Sequence, residues 1–188
     1  MISKIFWFAL CFVVLSVPGT AGDFEERVAG SRELVEQFMG QLRAELQSAM
    51  KAGGPVHAIQ VCSKKAPAIA QSLSEKTGWA VGRTSLRVRN AAHMPDAWER
   101  EVLNRFEQWK AEGRDVKGLE YYEVIERGGE RMFRYMKAIP TGGACLVCHG
   151  KTLPEGVQSE LDALYPHDQA KGFEVGDLRG AFTIVQDL

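Results

Sequence analysis

The chain has 188 residues, enough for one compact unit with a real core and short for two. Hydrophobic residues make up 45% and charged residues 25%, as in an ordinary globular protein, and the formal charge is -1. That balance offers no basic surplus for nucleic acid and no acidic tail, and the sequence has neither an internal repeat nor a low-complexity segment.

Residues 1–21 differ in kind from the rest. Lys4 forms a short positive region, Ile5 to Val17 is an apolar run, and Pro18, Gly19, Thr20 and Ala21 supply a break and small residues. This is the form of a secretory signal peptide cleaved near Ala21 or Gly22, which places the remaining 22–188 in the periplasm as a single domain. An uncleaved anchor is the other reading, but a span needs roughly 20 apolar residues. No second apolar run of that length follows, so the cleaved chain has no stable membrane span. Cys11 lies inside the run and is not placed for lipidation. Removing the leader leaves Cys62, Cys145 and Cys148, an odd set for an exported protein.

From Phe24 to Lys51 apolar residues recur at three- and four-residue steps, from Val28, Leu34 and Val35 to Leu46 and Met50. The spacing predicts a long amphipathic helix ended by Gly53-Gly54. A second helix starts at Pro55 and runs to about Thr77, with Ile59, Cys62, Ala66, Ile69 and Leu73 as its buried stripe. Pro67 inside it predicts a kink or a break. Trp79 to Arg89 reads as a strand. Asp96 caps a helix from Ala97 to Glu112, whose inner face is Trp98, Val102, Leu103, Phe106 and Trp109. Tyr121 to Glu126 and Arg131 to Ile139 form a hairpin around Gly128-Gly129. A polar Gly/Pro-rich segment follows residue 150, and Gly180 to Val185 is a closing strand. Helices first, then antiparallel strands with one helix between them, is an α+β pattern.

The stretch GGACLVCHG, residues 142–150, carries the chemistry. Covalent haem attachment needs two thiols for the porphyrin vinyl groups and an imidazole close behind them for the iron. Cys145, Cys148 and His149 supply all three in one turn, and the flanking glycines let backbone approach a flat ring. A structural zinc site wants four closed ligands, and no second Cys or His pair is present. A thioredoxin-like pair wants a helix after it, which GKTLPEG does not suggest. A disulfide across two residues is strained. The export signal adds to the case for one haem c, held through Cys145 and Cys148 with His149 as one axial ligand.

For the other side of the iron the residues leave the choice open among Cys62, His57, His93, His167, Met94, Met132 and Met136. Each histidine reads first as a surface or loop residue, and Met132 and Met136 read first as core. Cys62 suits core packing as well as a haem pocket, but a free thiol in an oxidising compartment is a liability that burial against iron removes. Arg83, Arg87 and Arg89 are candidates for the haem propionates against the plainer reading of an exposed strand face.

Four stretches then point further: AIQVCSKKAPAIA, GRTSLRVRNAAHMPDAWE, YMKAIPTGGACLVCHG and YPHDQAKGFEVGDLRGAF. Together they resemble the single-haem c-type cytochrome family with a PAS-like fold, a domain of unknown function often found as a sensor module. The resemblance implies a central antiparallel sheet flanked by helices. It also implies an iron ligated by His149 and by Cys62. Ala91 and His93 depart from the family pattern, where proline and asparagine are expected, and this keeps His93 as an alternative ligand.

His/Cys ligation implies a low reduction potential, because a bound thiol is deprotonated and its charge favours ferric iron. With both axial positions filled, redox or gas sensing (CO or NO after ligand release) or low-potential electron transfer is expected, with a redox or signalling partner protein. A haem redox enzyme, for instance in sulfur-compound oxidation, is the alternative. No paired carboxylates or Ser/His/Asp set supports it.

Overall fold

A computed structural model describes residues 21–188, so the leader read over residues 1–21 lies, but for Ala21, outside the described residues. The chain begins with α1 (Ala21–Thr77), two helical limbs joined at Gly53 and Gly54. Gly54 takes φ 72°, a conformation that glycine adopts without a Cβ penalty, and Pro55 restarts the helix as expected. Pro67 does not act as anticipated: the second limb continues through it, and the only non-helical backbone within α1 is at the two glycines. Proline removes one helical N–H, while Ala66, Ile69 and Leu73, all under 8% exposed, hold the limb against the protein on either side of it.

Four strands follow: β1 (Ala80–Thr84), β2 (Glu120–Arg127), β3 (Glu130–Pro140) and β4 (Leu178–Asp187). They form one antiparallel sheet in the order β1-β4-β3-β2. Gly128 and Gly129, both at positive φ, turn the β2–β3 hairpin. The strand expected over Trp79 to Arg89 stops at Thr84. There the chain leaves the ladder, and Ser85 Oγ donates instead to the Arg179 carbonyl at 2.8 Å. The closing strand is longer than Gly180 to Val185.

Side chains alternate across this sheet with period two. Phe133, Tyr135, Phe182 and Ile184 face α1, meeting Val28, Leu34, Val35 and Phe38 of its first limb and Ile69 and Leu73 of its second. Met136, Ala138 and Ala181 face the opposite way, onto Val102, Leu103 and Phe106 of α2 (Ala97–Ala111). The fold is therefore α+β, an antiparallel sheet flanked by helices. No helix among the described residues is long and apolar enough to cross a membrane.

Asp96 starts α2 in a capping box. Its side chain accepts from the Glu99 N–H at 2.8 Å, and Glu99 accepts from the Asp96 N–H at 3.0 Å. The buried Arg134 guanidinium donates to both carboxylates, at 2.6 Å to Asp96 and 3.3 Å to Glu99. The Asp96→Ala variant is expected to lose about 1–2 kcal/mol of unfolding free energy, the cost of a lost helix cap, as read by urea denaturation. Two short helices complete the chain. One is α3 (Leu146–His149). The other, α4 (Glu155–Leu164), lies in the segment read from sequence as irregular.

Candidate functional site

Residues 142–150 form a compact double turn. A 3-10 turn at Gly143–Cys145 runs into α3, and the Gly150 N–H closes on the Leu146 carbonyl at 2.9 Å. A Cβ on Gly150 would lie 2.6 Å from that carbonyl oxygen, so the exit from the motif requires glycine for a reason internal to the turn. The downstream chain wraps this turn. The N–H groups of Gly172 and Phe173 donate to the carbonyls of Gly150 and His149, both at 2.9 Å.

His149 is fixed from the same direction. Its Nδ1 lies 2.7 Å from the Ala170 carbonyl, and the edge of the Phe173 ring stands against the imidazole at a centroid distance of 6.2 Å. A carbonyl oxygen only accepts, so Nδ1 carries the proton and Nε2 keeps its lone pair for a metal. Burial, followed by the charges of Arg179, Arg89 and Arg83, pushes the His149 pKa down to about 2. The imidazole is thus neutral at every ordinary pH. A histidine whose folded pKa lies below its unfolded value near 6.5 leaves the unfolded chain with more bound protons at low pH. Stability should therefore be complete above about pH 6.5 and fall as the pH drops below it. Urea titrations of the haem-free chain at pH 7 and pH 5 should show this slope, and His149→Phe should remove most of it.

Arg89 ties the surrounding pieces together. Its guanidinium donates to Asp168 at 3.1 Å, to the Cys148 carbonyl at 2.5 Å and to the Ala170 carbonyl at 3.2 Å. Asp168 is itself buried, with its side chain 1% exposed, and accepts from the Ala170 N–H at 2.8 Å.

Cys62 comes to this place from α1. One turn before it, Ile59 packs with Val157 and Leu161 of α4, and this cluster also takes in Val56, Leu153, Tyr165 and the motif's Cys148. Burial raises the Cys62 and Cys148 thiols, and Cys62 lies among the charges that act on Cys148. Arg83 opposes the shift at Cys62, Arg89 opposes it at Cys148, and Cys62 adds to it at Cys148. Tyr165 packs in the same cluster as Cys148, within reach of the Cys62 and Arg83 charges. The three cysteines among the described residues, Cys62, Cys145 and Cys148, are half-buried free thiols.

The remaining ligand candidates sit differently. His57 and His167 are exposed, and Met94 is 59% exposed. Met136 is fully buried against α2, while Met132 is half-buried at the start of β3, opposite Asp187. His93 is half-buried and feels the charges of Arg83 and Arg179. It lines a cleft of about 370 Å³ with Ala66, Pro67, Arg83 and Met94. No group of three or more His, Cys, Asp or Glu side chains able to hold a bare metal ion gathers among the described residues.

The family model described as Tll0287-like matches residues 22–186. The chain belongs to the Tll0287-like family. Among solved structures it is similar to the cyanobacterial haem protein Tll0287, at 24% identity and a TM-score of 0.63 over 90% of this chain and 97% of that one. At that identity the likeness speaks for the fold. No curated protein matches. In this Tll0287-like chain the arginines singled out from sequence divide. Arg89 is a structural brace, Arg87 stacks on Phe173 at 3.7 Å, and only Arg83 lacks such an anchor. Arg179, Asp168, Ala170, Phe173 and Tyr165 went unassigned in the sequence reading. The stretch 165–182 that carries all of them was the available signal.

Proposed function

We propose that the chain holds one haem c covalently through Cys145 and Cys148, with His149 and Cys62 as its axial ligands. The observation that carries this is the His149 imidazole, its Nδ1–H already engaged by the Ala170 carbonyl, on one turn with two cysteines, while Ile59, one turn before Cys62, packs in the cluster that takes in Cys148. The residues fit the group. Two thiols stand on one short turn, Nε2 of His149 is free of a proton, and a third thiol lies nearby without a disulfide partner. The match to a family whose solved member is a haem protein supports the same reading.

When bound, the haem supplies a one-electron iron couple that a thiolate ligand shifts toward the ferric state. The protein's own contribution is orientation and exclusion of water. Ala170 fixes the His149 tautomer, Arg89 and Asp168 hold the chain that carries Ala170, and Ile59, Val157 and Leu161 close the apolar side. A site with both axial positions taken by protein side chains suits redox or gas sensing, or low-potential electron transfer to a partner protein, better than turnover. We place the work in the periplasm, with residues 1–21 removed as a leader and 22–188 acting as one PAS-like unit. The family match begins at residue 22, just past the apolar run.

Expression with the leader in a host that matures c-type cytochromes tests the attachment. The wild-type chain should keep haem stain on a denaturing gel, whereas Cys145→Ala/Cys148→Ala should lose all of it. Stain retained by the double variant, or absent from the wild type, contradicts covalent attachment.

A further inference from the structure

Arg87, Arg89 and Arg179 spend their guanidinium groups inside the protein. Arg89 pairs with Asp168, Arg87 lies over the Phe173 ring at 3.7 Å, and Arg179 reaches Ser85 Oγ at 3.3 Å and the Arg87 carbonyl at 3.4 Å. Arg83 does not. Among the described residues its guanidinium has no ion pair and no hydrogen bond, only the face of Phe38 at 5.4 Å. Its N–H donors are therefore unspent, and a desolvated cation in that state favours whatever negative charge can reach it.

Arg83 and Phe38 both line the cleft of about 370 Å³. Its other walls are apolar and mostly short. Ala66 and Ala70 come from the second limb of α1, and Met94 follows the 3-10 turn at Ala91–His93. The Thr84 hydroxyl donates to the His93 carbonyl at 3.2 Å and ties that turn to β1. Burial, then the charges of Arg83 and Arg179, push the His93 pKa down, so its imidazole is neutral at pH 7 and Arg83 is the one cation in the lining. The one carboxylate, Glu99, is buried and already accepts from the Asp96 N–H at 3.0 Å and from Arg134 at 3.3 Å. Thr183, also in the lining, keeps a buried Oγ1 with no hydrogen-bond partner. Apolar walls around a few unspent polar groups are the usual make-up of a ligand pocket.

We propose that this cleft is a carboxylate site, in which the Arg83 fork holds the carboxylate and the apolar walls hold the body behind it. The planar guanidinium matches two carboxylate oxygens, and one cation between apolar walls suits one negative charge better than the two of a phosphate. Two sources of that carboxylate fit. One is a propionate of the haem, and in that form the proposal rests on the haem reading above; Ala66 stands one turn after Cys62 on the same limb. The other is a free organic acid with a single carboxylate.

The test uses the haem-loaded protein, with benzoate as the probe for a free acid. If the site takes a free acid, isothermal titration should show benzoate binding that Arg83→Gln weakens about tenfold or more, the loss of a charge-assisted pair of hydrogen bonds. If a propionate fills the cleft, benzoate should not bind, and the propionate bending band in the resonance Raman spectrum should shift in Arg83→Gln. Ala92→Glu, at an exposed residue of the lining, sets a competing carboxylate at the cleft and should have the same effect in either case. Equal benzoate binding in the wild type and Arg83→Gln overturns the proposal. So does absence of binding together with an unshifted band. If Arg83→Gln does not fold, either of those outcomes in Ala92→Glu overturns it instead. Failure of the haem reading shows separately, as a wild-type chain without haem stain on a denaturing gel, and the benzoate titration of the haem-free chain then decides alone.

Discussion

Replacing Arg89 with alanine is expected to cost about 3–5 kcal/mol of unfolding free energy, the usual penalty for stranding one member of a buried ion pair. Asp168 would be left with its side chain 1% exposed and no cation, and the Cys148 and Ala170 carbonyls would each lose a charged donor. Denaturant unfolding of the haem-free chain measures the loss. The Arg89→Ala/Asp168→Ala double variant should recover part of it, since neither member of the pair is then left stranded. A single-variant loss below about 1 kcal/mol would show that the clamp carries little of the fold. The effect should also reach the site, because Ala170 fixes the His149 tautomer. Haem-loaded Arg89→Ala should therefore show a broadened ferric spectrum, with the imidazole no longer held in one orientation.

The second large effect belongs to Cys62. Under the proposed ligation its replacement by alanine removes a negative ligand from the iron, so the midpoint potential should rise by more than 59 mV, over tenfold in the equilibrium constant for reduction. The ferrous variant should bind CO at least tenfold faster than the wild type, because a protein ligand no longer has to leave first. Equal CO rates in the two proteins would place the sixth ligand elsewhere, with His93 the next candidate by its half-buried position on the cleft.

What could be read from the sequence was what depends on neighbours in the chain. The Gly53-Gly54 break, the Asp96–Glu99 cap, the Gly128-Gly129 hairpin and the Cys145–Cys148–His149 turn are each specified within a few residues. Helix α4 was missed although it leaves a weak trace. Val157 and Leu161 recur at a four-residue step after Pro154, but two buried residues in a polar segment make a faint stripe. The strand over 79–89 was drawn too long because Leu86 and Val88 keep the alternation going after the ladder has ended at Thr84. The resemblance had to supply Cys62, since its own helix shows only a buried stripe, and 86 residues separate it from Cys148. Arg89 with Asp168, 79 residues apart, and His149 with Ala170 are long-range contacts with no periodic signature, so they emerged only from the folded chain.

The central claim is that Cys62 and His149 face the iron from opposite sides. Low-temperature EPR with near-infrared spectroscopy of the ferric, haem-loaded protein tests it most directly, with Cys62→Ala measured alongside. The wild type should give a low-spin thiolate–imidazole signature, and the variant should lose it. A low-spin spectrum that is the same in both proteins would contradict the account.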